Sequence, residues 1–301
     1  MDQKETVNKK NNSFNKMVSS DYYINTIEGL VDSKKNIDEL ESFIRSINTN
    51  SKEKHFEGTF DDYFDKLKNN QDDMKQAEKI IHIIGKIGAS FPKLSNQTID
   101  ALIHIIDADM KPNICKHAIH EMGKIGHVRE QTCNKIIDEI NKVTHEVLDH
   151  DVTIESIHAL YEIGLAWKKK KKIFFPLLDI LKRGDKEEKL EAIRAIRTQL
   201  EGYWEKPVEA LKDIVLYDSD FEVRRVAAMS LGEVGAYTSF SVREAVFELT
   251  KNISHQIQRL KLSLEKNTIN NFHIKCRLHD SKAILKILYH YIRIYKYGFV
   301  D

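Results

Sequence analysis

The chain has 301 residues, is 41% hydrophobic and 31% charged, and carries a formal net charge of +1. Only 4 Pro and 12 Gly argue against an all-β architecture built on many turns, and the near-balanced charge excludes a chain that is basic or acidic throughout. No apolar run reaches the roughly 18 residues that would suggest a membrane span.

The opening stretch, MDQKETVNKKNNSFNK, is polar and lacks an apolar h-region, so no secretory signal is expected. Residues 1–18 are Asn/Lys-rich and predict a disordered tail. Residues 19–74 carry short helical stripes (Tyr23, Ile24, Ile27, Leu30; Ile37, Leu40, Phe43, Ile44; Phe60, Tyr63, Phe64, Leu67) and predict a helical cap.

From 75 to 252 the chain repeats. The segments close on Gly88, Gly126, Gly164, Leu200 and Gly235, and each carries apolar columns at helical spacing. One column is Ile81, Ile119, Ile157, Ile193, Ala228; the next is Ile84, Met122, Leu160, Ile196, Leu231. A third, Ile87, Ile125, Ile163, Gln199, Val234, has one polar member. The closing Gly is expected at the C′ position, where a helix stops. Between these helices lie second stripes: Ile99, Leu102, Ile103, Ile106; Cys133, Ile136, Ile137, Ile140; Ile173, Pro176, Leu177, Ile180; Val242, Ala245, Val246, Leu249. Helix pairs with one apolar stripe each bury that stripe only by stacking on their neighbours.

Residues 253–301 lose the Gly anchors and predict a C-terminal helical cap; with 9 basic and 3 acidic residues they are also the candidate site for an anionic partner. Cys115, Cys133 and Cys276 are odd in number and far apart, which predicts reduced thiols rather than a disulfide or zinc framework.

DSDFEVRRVAAMSLGEVG (218–235) resembles the signature of the HEAT-repeat family, including its PBS-lyase HEAT-like members: an Asp, then Val-Arg, then a small-residue helix ending in Leu-Gly-x-x-Gly. The Asp recurs as Asp149, Asp185 and Asp220; the signature Arg falls on Arg224 and is replaced by Lys189 one repeat earlier. The resemblance spans roughly 75–252 and implies an all-α HEAT-type superhelix, or solenoid, with Arg224 paired to an Asp of the turn and Pro176 in a kinked first helix. It implies little about function, because such folds serve many.

Three repeats place a His six residues before the closing Gly: His82, His120 and His158. Helices of neighbouring repeats pack about 8–10 Å apart, so three span about 16–20 Å and cannot share one ion. The helix face around them reads Lys79, His82, Ile83, Lys86; His117, His120, Glu121, Lys124; Glu155, His158, Ala159, Glu162; Glu191, Arg194, Ala195, Thr198; Val226, Met229, Ser230, Glu233. It is expected to be exposed. Mixed charge with apolar spots suits a protein or peptide partner; His82, Lys86, His120, Glu121, Lys124, His158, Glu162 and Arg194 are the candidate contacts.

The run Lys168, Lys169, Lys170, Lys171, Lys172 is a candidate nucleic-acid contact, or a solubilising connection with a frayed helix start. Trp167 and Trp204 resemble the aromatic residues of AlkD-like DNA glycosylases, although no basic inner face accompanies them. HEAT-like di-iron hydroxylases open a helix with His-Glu, at the position of Lys116 here; His120-Glu121 and His145-Glu146 stand elsewhere, so that activity is not expected. GxGxxG, P-loop, GxSxG, HExxH and CxxC motifs are missing. The sequence therefore predicts a non-enzymatic, cytoplasmic, monomeric binding scaffold with no cofactor or metal. A nucleic-acid-binding solenoid, with or without AlkD-like base excision, is the alternative.

Overall fold

A computed structural model describes residues 71–109, 111–167, 171–200, 205–237, 240–266 and 271–297. The expected tail, the cap before residue 71, Lys168–Lys170 and Trp204 lie outside the described residues. Among the described residues the fold is all-helical, with eleven α-helices, two 3-10 turns and no strand. It divides into two compact units, one ending at Thr132 and one beginning at Cys133.

The first unit contains α1 (Gln71–Ser90), α2 (Ser95–Asp109) and α3 (Pro112–Val128). Each packs on the other two. The predicted stripes form its core: Ile81, Ile84 and Ile87 of α1, Ile99, Leu102 and Ile106 of α2, and Ile119, Met122 and Ile125 of α3 are all buried. Pro112 opens α3 at a position where its missing N–H costs nothing. The carbonyls ending α1 would be orphans. Ser95 Oγ donates to Gly88 O (2.8 Å) and Arg129 Nη2 to Ala89 O (2.6 Å), which satisfies them from the next turn and the next helix pair.

The second unit contains α4 (Cys133–Glu146), α5 (His150–Ala166), α6 (Phe174–Arg183), α7 (Lys186–Gln199), α8 (Glu205–Tyr217), α9 (Phe221–Tyr237), α10 (Phe240–Lys266) and α11 (Phe272–Tyr297). Here α5, α7, α9 and α11 pack each on the next, and α4, α6, α8 and α10 do the same beside them. The Asp column caps the first three helices of the first row. Asp149 accepts from Val152 N–H (3.1 Å), Asp185 from Glu188 N–H (3.0 Å) in a full capping box, and Asp220 from Glu222 and Val223 N–H. The residue after each of the first two caps reaches the next cap: His150 to Asp185 (2.9 Å), Lys186 to Asp220 (3.2 Å). The capping Asp residues thus double as rungs between successive helices.

The structure corrects several expectations. The closing glycines do not stop their helices. Each of α1, α3, α5 and α9 runs two residues past its Gly. At Gly88, Gly164 and Gly235 the role is close approach. A Cβ on Gly164 would lie 1.9 Å from Gln199 Nε2, and one on Gly235 would lie 2.6 Å from the Tyr295 hydroxyl. Gln199 breaks the third apolar column for this reason: it is 3% exposed, fills the Gly164 slot and donates to Tyr161 O at 3.4 Å. Pro176 lies in the first turn of α6, where no intrahelical donor is needed, rather than deep inside a helix. Arg224 is buried as expected, yet it caps the carbonyls of Asp218 and Ser219 and pairs with Asp280 of α11 rather than with a turn carboxylate. It is Lys189 that pairs with Asp218, at 2.8 Å. Residue 252, the expected end of the array, falls inside α10. Helix α8 went unread between Leu200 and Asp218.

Candidate binding groove

Helices α1 and α3 border an open groove of about 550 Å³ in the first unit. Ile81 supplies its apolar lining, and Glu78, Lys79 and His82 come from α1. From α3 come His117, His120, Glu121 and Lys124. The i, i+3, i+4, i+7 spacing of the α3 residues places them on one side of that helix.

Glu121 organises the groove. It was expected to be exposed and is 4% exposed. Its Oε1 accepts from His82 Nδ1 at 3.0 Å and from Lys124 Nζ at 2.9 Å. A buried carboxylate needs such partners, since desolvating a lone charge is costly. Room for it comes from Gly85: a Cβ there would sit 2.0 Å from Glu121 Oε2 and 2.7 Å from Glu121 Cβ. One missing methyl in α1 therefore lets a charged side chain of α3 settle against the α1 backbone, with its donors facing the groove. His117 donates from Nδ1 to Asn113 O (2.7 Å), which leaves Nε2 toward Glu78 Oε1 at 3.8 Å. His120 is exposed on the rim.

Of the eight candidate partner contacts, the groove gathers His82, His120, Glu121 and Lys124. Lys86 is half-buried on α1 and outside the groove lining. His158, Glu162 and Arg194 are exposed on α5 and α7 of the second unit, where Arg194 is held by Glu191. The face is therefore not exposed throughout. Its column Ile83, Glu121, Ala159, Ala195, Ser230 is buried, because each helix is flanked by neighbours on its sides as well as beneath. Glu78 was not singled out in the sequence, although it stands four residues before His82 on the same side of α1.

The lysine run is partly committed to structure. Lys171 and Lys172 form a 3-10 turn before α6, and Lys172 pairs with Asp138 of α4 at 2.6 Å. Cys115 and Cys133 are buried and free, and Cys276 is exposed and free.

One group among the described residues brings three potential metal-ligand atoms within 4.8 Å of one another: His150, Asp185 and Glu188. Its carboxylates already serve the α7 capping box, and a cation there would face the positive end of that helix. Burial alone would lower the His150 pKa. The Asp185 charge and hydrogen bond, with Glu187 and Glu188 behind them, outweigh burial and raise it above 6.5. Asp185 is held below its ordinary 3.8, first by the Glu188 backbone N–H and then by His150.

Against known proteins, the chain matches no family model, no curated protein and no solved structure.

Proposed function

We propose that the chain is a HEAT-type solenoid acting as a non-enzymatic scaffold, and that the α1/α3 groove holds a peptide segment of a protein partner. The observation that carries this reading is the composition of the groove. Two carboxylates, two ammonium groups and three imidazoles surround one apolar residue, Ile81, and Glu121 is fixed in place by His82 and Lys124. Both signs of charge side by side favour a partner that also carries both, and disfavour a polyphosphate, which would need cations alone. Side chains held by their own hydrogen bonds lose little freedom on binding, which favours recognition. Two rows of successively packed helices in the second unit, with Asp caps on α5, α7 and α9, support the solenoid assignment.

The test is selection from a displayed random-peptide library by the wild-type protein, with a Lys79→Ala/His117→Ala/His120→Ala variant in parallel. Glu121, His82 and Lys124 are left in place because the buried carboxylate needs its two donors. Mixed-charge peptides should be enriched by the wild type and lost on the variant. Enrichment of the same peptides by both proteins contradicts the groove as the site.

A further inference from the structure

Helix α11 carries a surface unlike any other among the described residues. Lys275, Lys282, Lys286, Arg293 and Lys296 are all exposed. Their spacing is 7, 4, 7 and 3 residues, with His279 and His290 in the gaps, so they share one side of the helix. At 1.5 Å per residue the stripe is about 31 Å long. The opposite side, with Ile284, Leu288, Tyr291 and Ile292, is buried on the helices α11 packs against, α9 and α10.

Many cations on other helices are neutralised locally. Lys124 pairs with Glu121, Lys172 with Asp138, Arg183 with Asp179, Lys186 with Asp220, Arg197 with Glu233, and Lys212 with Glu209 and Glu248. On α11 the one acidic residue, Asp280, is taken by Arg224, and Arg277 is turned inward to the carbonyls of Leu216 and Asp218. The five stripe side chains form no ion pair with any carboxylate among the described residues.

We propose that this stripe binds the phosphate backbone of a nucleic-acid duplex. A line of cations of one sign, with the exposed ring of Tyr289 between Lys286 and Arg293, is the footprint of phosphate contact. A protein interface would place a larger apolar core among its charges. A membrane-surface helix would expose apolar residues along the same side. The buried apolar residues of α11 lie on the opposite side, and among the described residues its exposed large hydrophobics are Phe272 at the start of the helix and Tyr289; two rings beside five cations are little apolar surface for a membrane. The stripe belongs to the second unit and shares no residue with the α1/α3 groove of the first.

The experiment is fluorescence anisotropy of the full chain with a labelled random-sequence DNA duplex, across a salt series. Contact with about four phosphates predicts a log K against log salt slope of about −3 to −4. The variant Lys282→Gln/Lys286→Gln/Arg293→Gln should lose at least tenfold in affinity at low salt and bring the slope to about −1. Lys282→Arg/Lys286→Arg should bind like the wild type. A Lys93→Gln/Lys182→Gln/Lys206→Gln control removes three cations elsewhere and should also bind like the wild type. Unchanged circular dichroism and unfolding midpoints would show that the variants fold. The proposal is overturned by no duplex binding at low salt, by full binding of the triple α11 variant, or by equal losses in the control. Stripe-dependent binding to phosphatidylserine vesicles without duplex binding would overturn it too, assigning the surface to membranes.

Discussion

Replacing Gly164 by Ala tests whether the repeat glycines act through packing. The added methyl would meet the Gln199 amide at 1.9–2.4 Å, so the Gln side chain must leave its slot or α5 and α7 must move apart. Overpacking of this kind costs about 1–3 kcal/mol. Ala is also favoured over Gly in a helix interior by about 1 kcal/mol. The net expectation is a loss of about 1 kcal/mol. Gln199→Ala alone gives up a long hydrogen bond to Tyr161 O, at the weak end of its range, and leaves a void; about 1 kcal/mol is expected. Together the two changes are compatible, because the new methyl enters the space the amide leaves. The cycle should therefore show a favourable coupling of about 1 kcal/mol or more. Urea unfolding of the four proteins, followed by far-UV circular dichroism, measures it. If Gly164→Ala instead stabilises by the full helix-propensity term and the effects add within about 0.5 kcal/mol, Gly164 has no packing role.

Further outcomes are expected elsewhere in the second unit. Asp280→Ala should cost more than Arg224→Met, about 3 against 1–2 kcal/mol: the first strands a guanidinium that is 2% exposed, whereas the second leaves a carboxylate that water can reach; denaturant unfolding showing the reverse order would refute this. The His150–Asp185 pair predicts a pH signature. His150, with its pKa raised, contributes stability present below 6.5 and lost as pH rises through its folded value; Asp185, with its pKa lowered, contributes stability present above 3.8 and lost as pH falls. His150→Ala should therefore destabilise at about pH 5.5 and be neutral near pH 8.5; for so exposed a pair the difference is a few tenths of a kcal/mol and shrinks with salt. A thermal-unfolding difference that does not vary with pH would contradict it.

The sequence made the helices legible because burial is written in their period. Ile81, Ile119, Ile157 and Ile193 lie in the core of their units, as the first column predicts. The glycines were misread because Gly at a helix end and Gly under a neighbouring side chain look alike in one sequence, and only the packed partner separates them. Glu121 was misplaced because a single-stripe wheel treats the flanks of a helix as solvent. Its column otherwise holds Ile83, Ala159, Ala195 and Ser230, and that small, apolar company was the available sign of burial. Helix α8 was hidden by its buried Lys212, which sits among Val208, Leu211 and Val215 and is neutralised by Glu209 and Glu248. The excess of basic residues after 252 was legible, but the gathering of five of the nine on one side of α11 emerges only once Asp280 and Arg277 are seen to turn inward.

The most direct test of the scaffold reading is quantitative affinity capture from the native source, with the wild type and the Lys79→Ala/His117→Ala/His120→Ala variant side by side. The account predicts at least one protein recovered by the wild type and reduced tenfold or more with the variant, while the unfolding midpoints of the two baits agree. The same set of proteins recovered in equal amounts by both baits would contradict it.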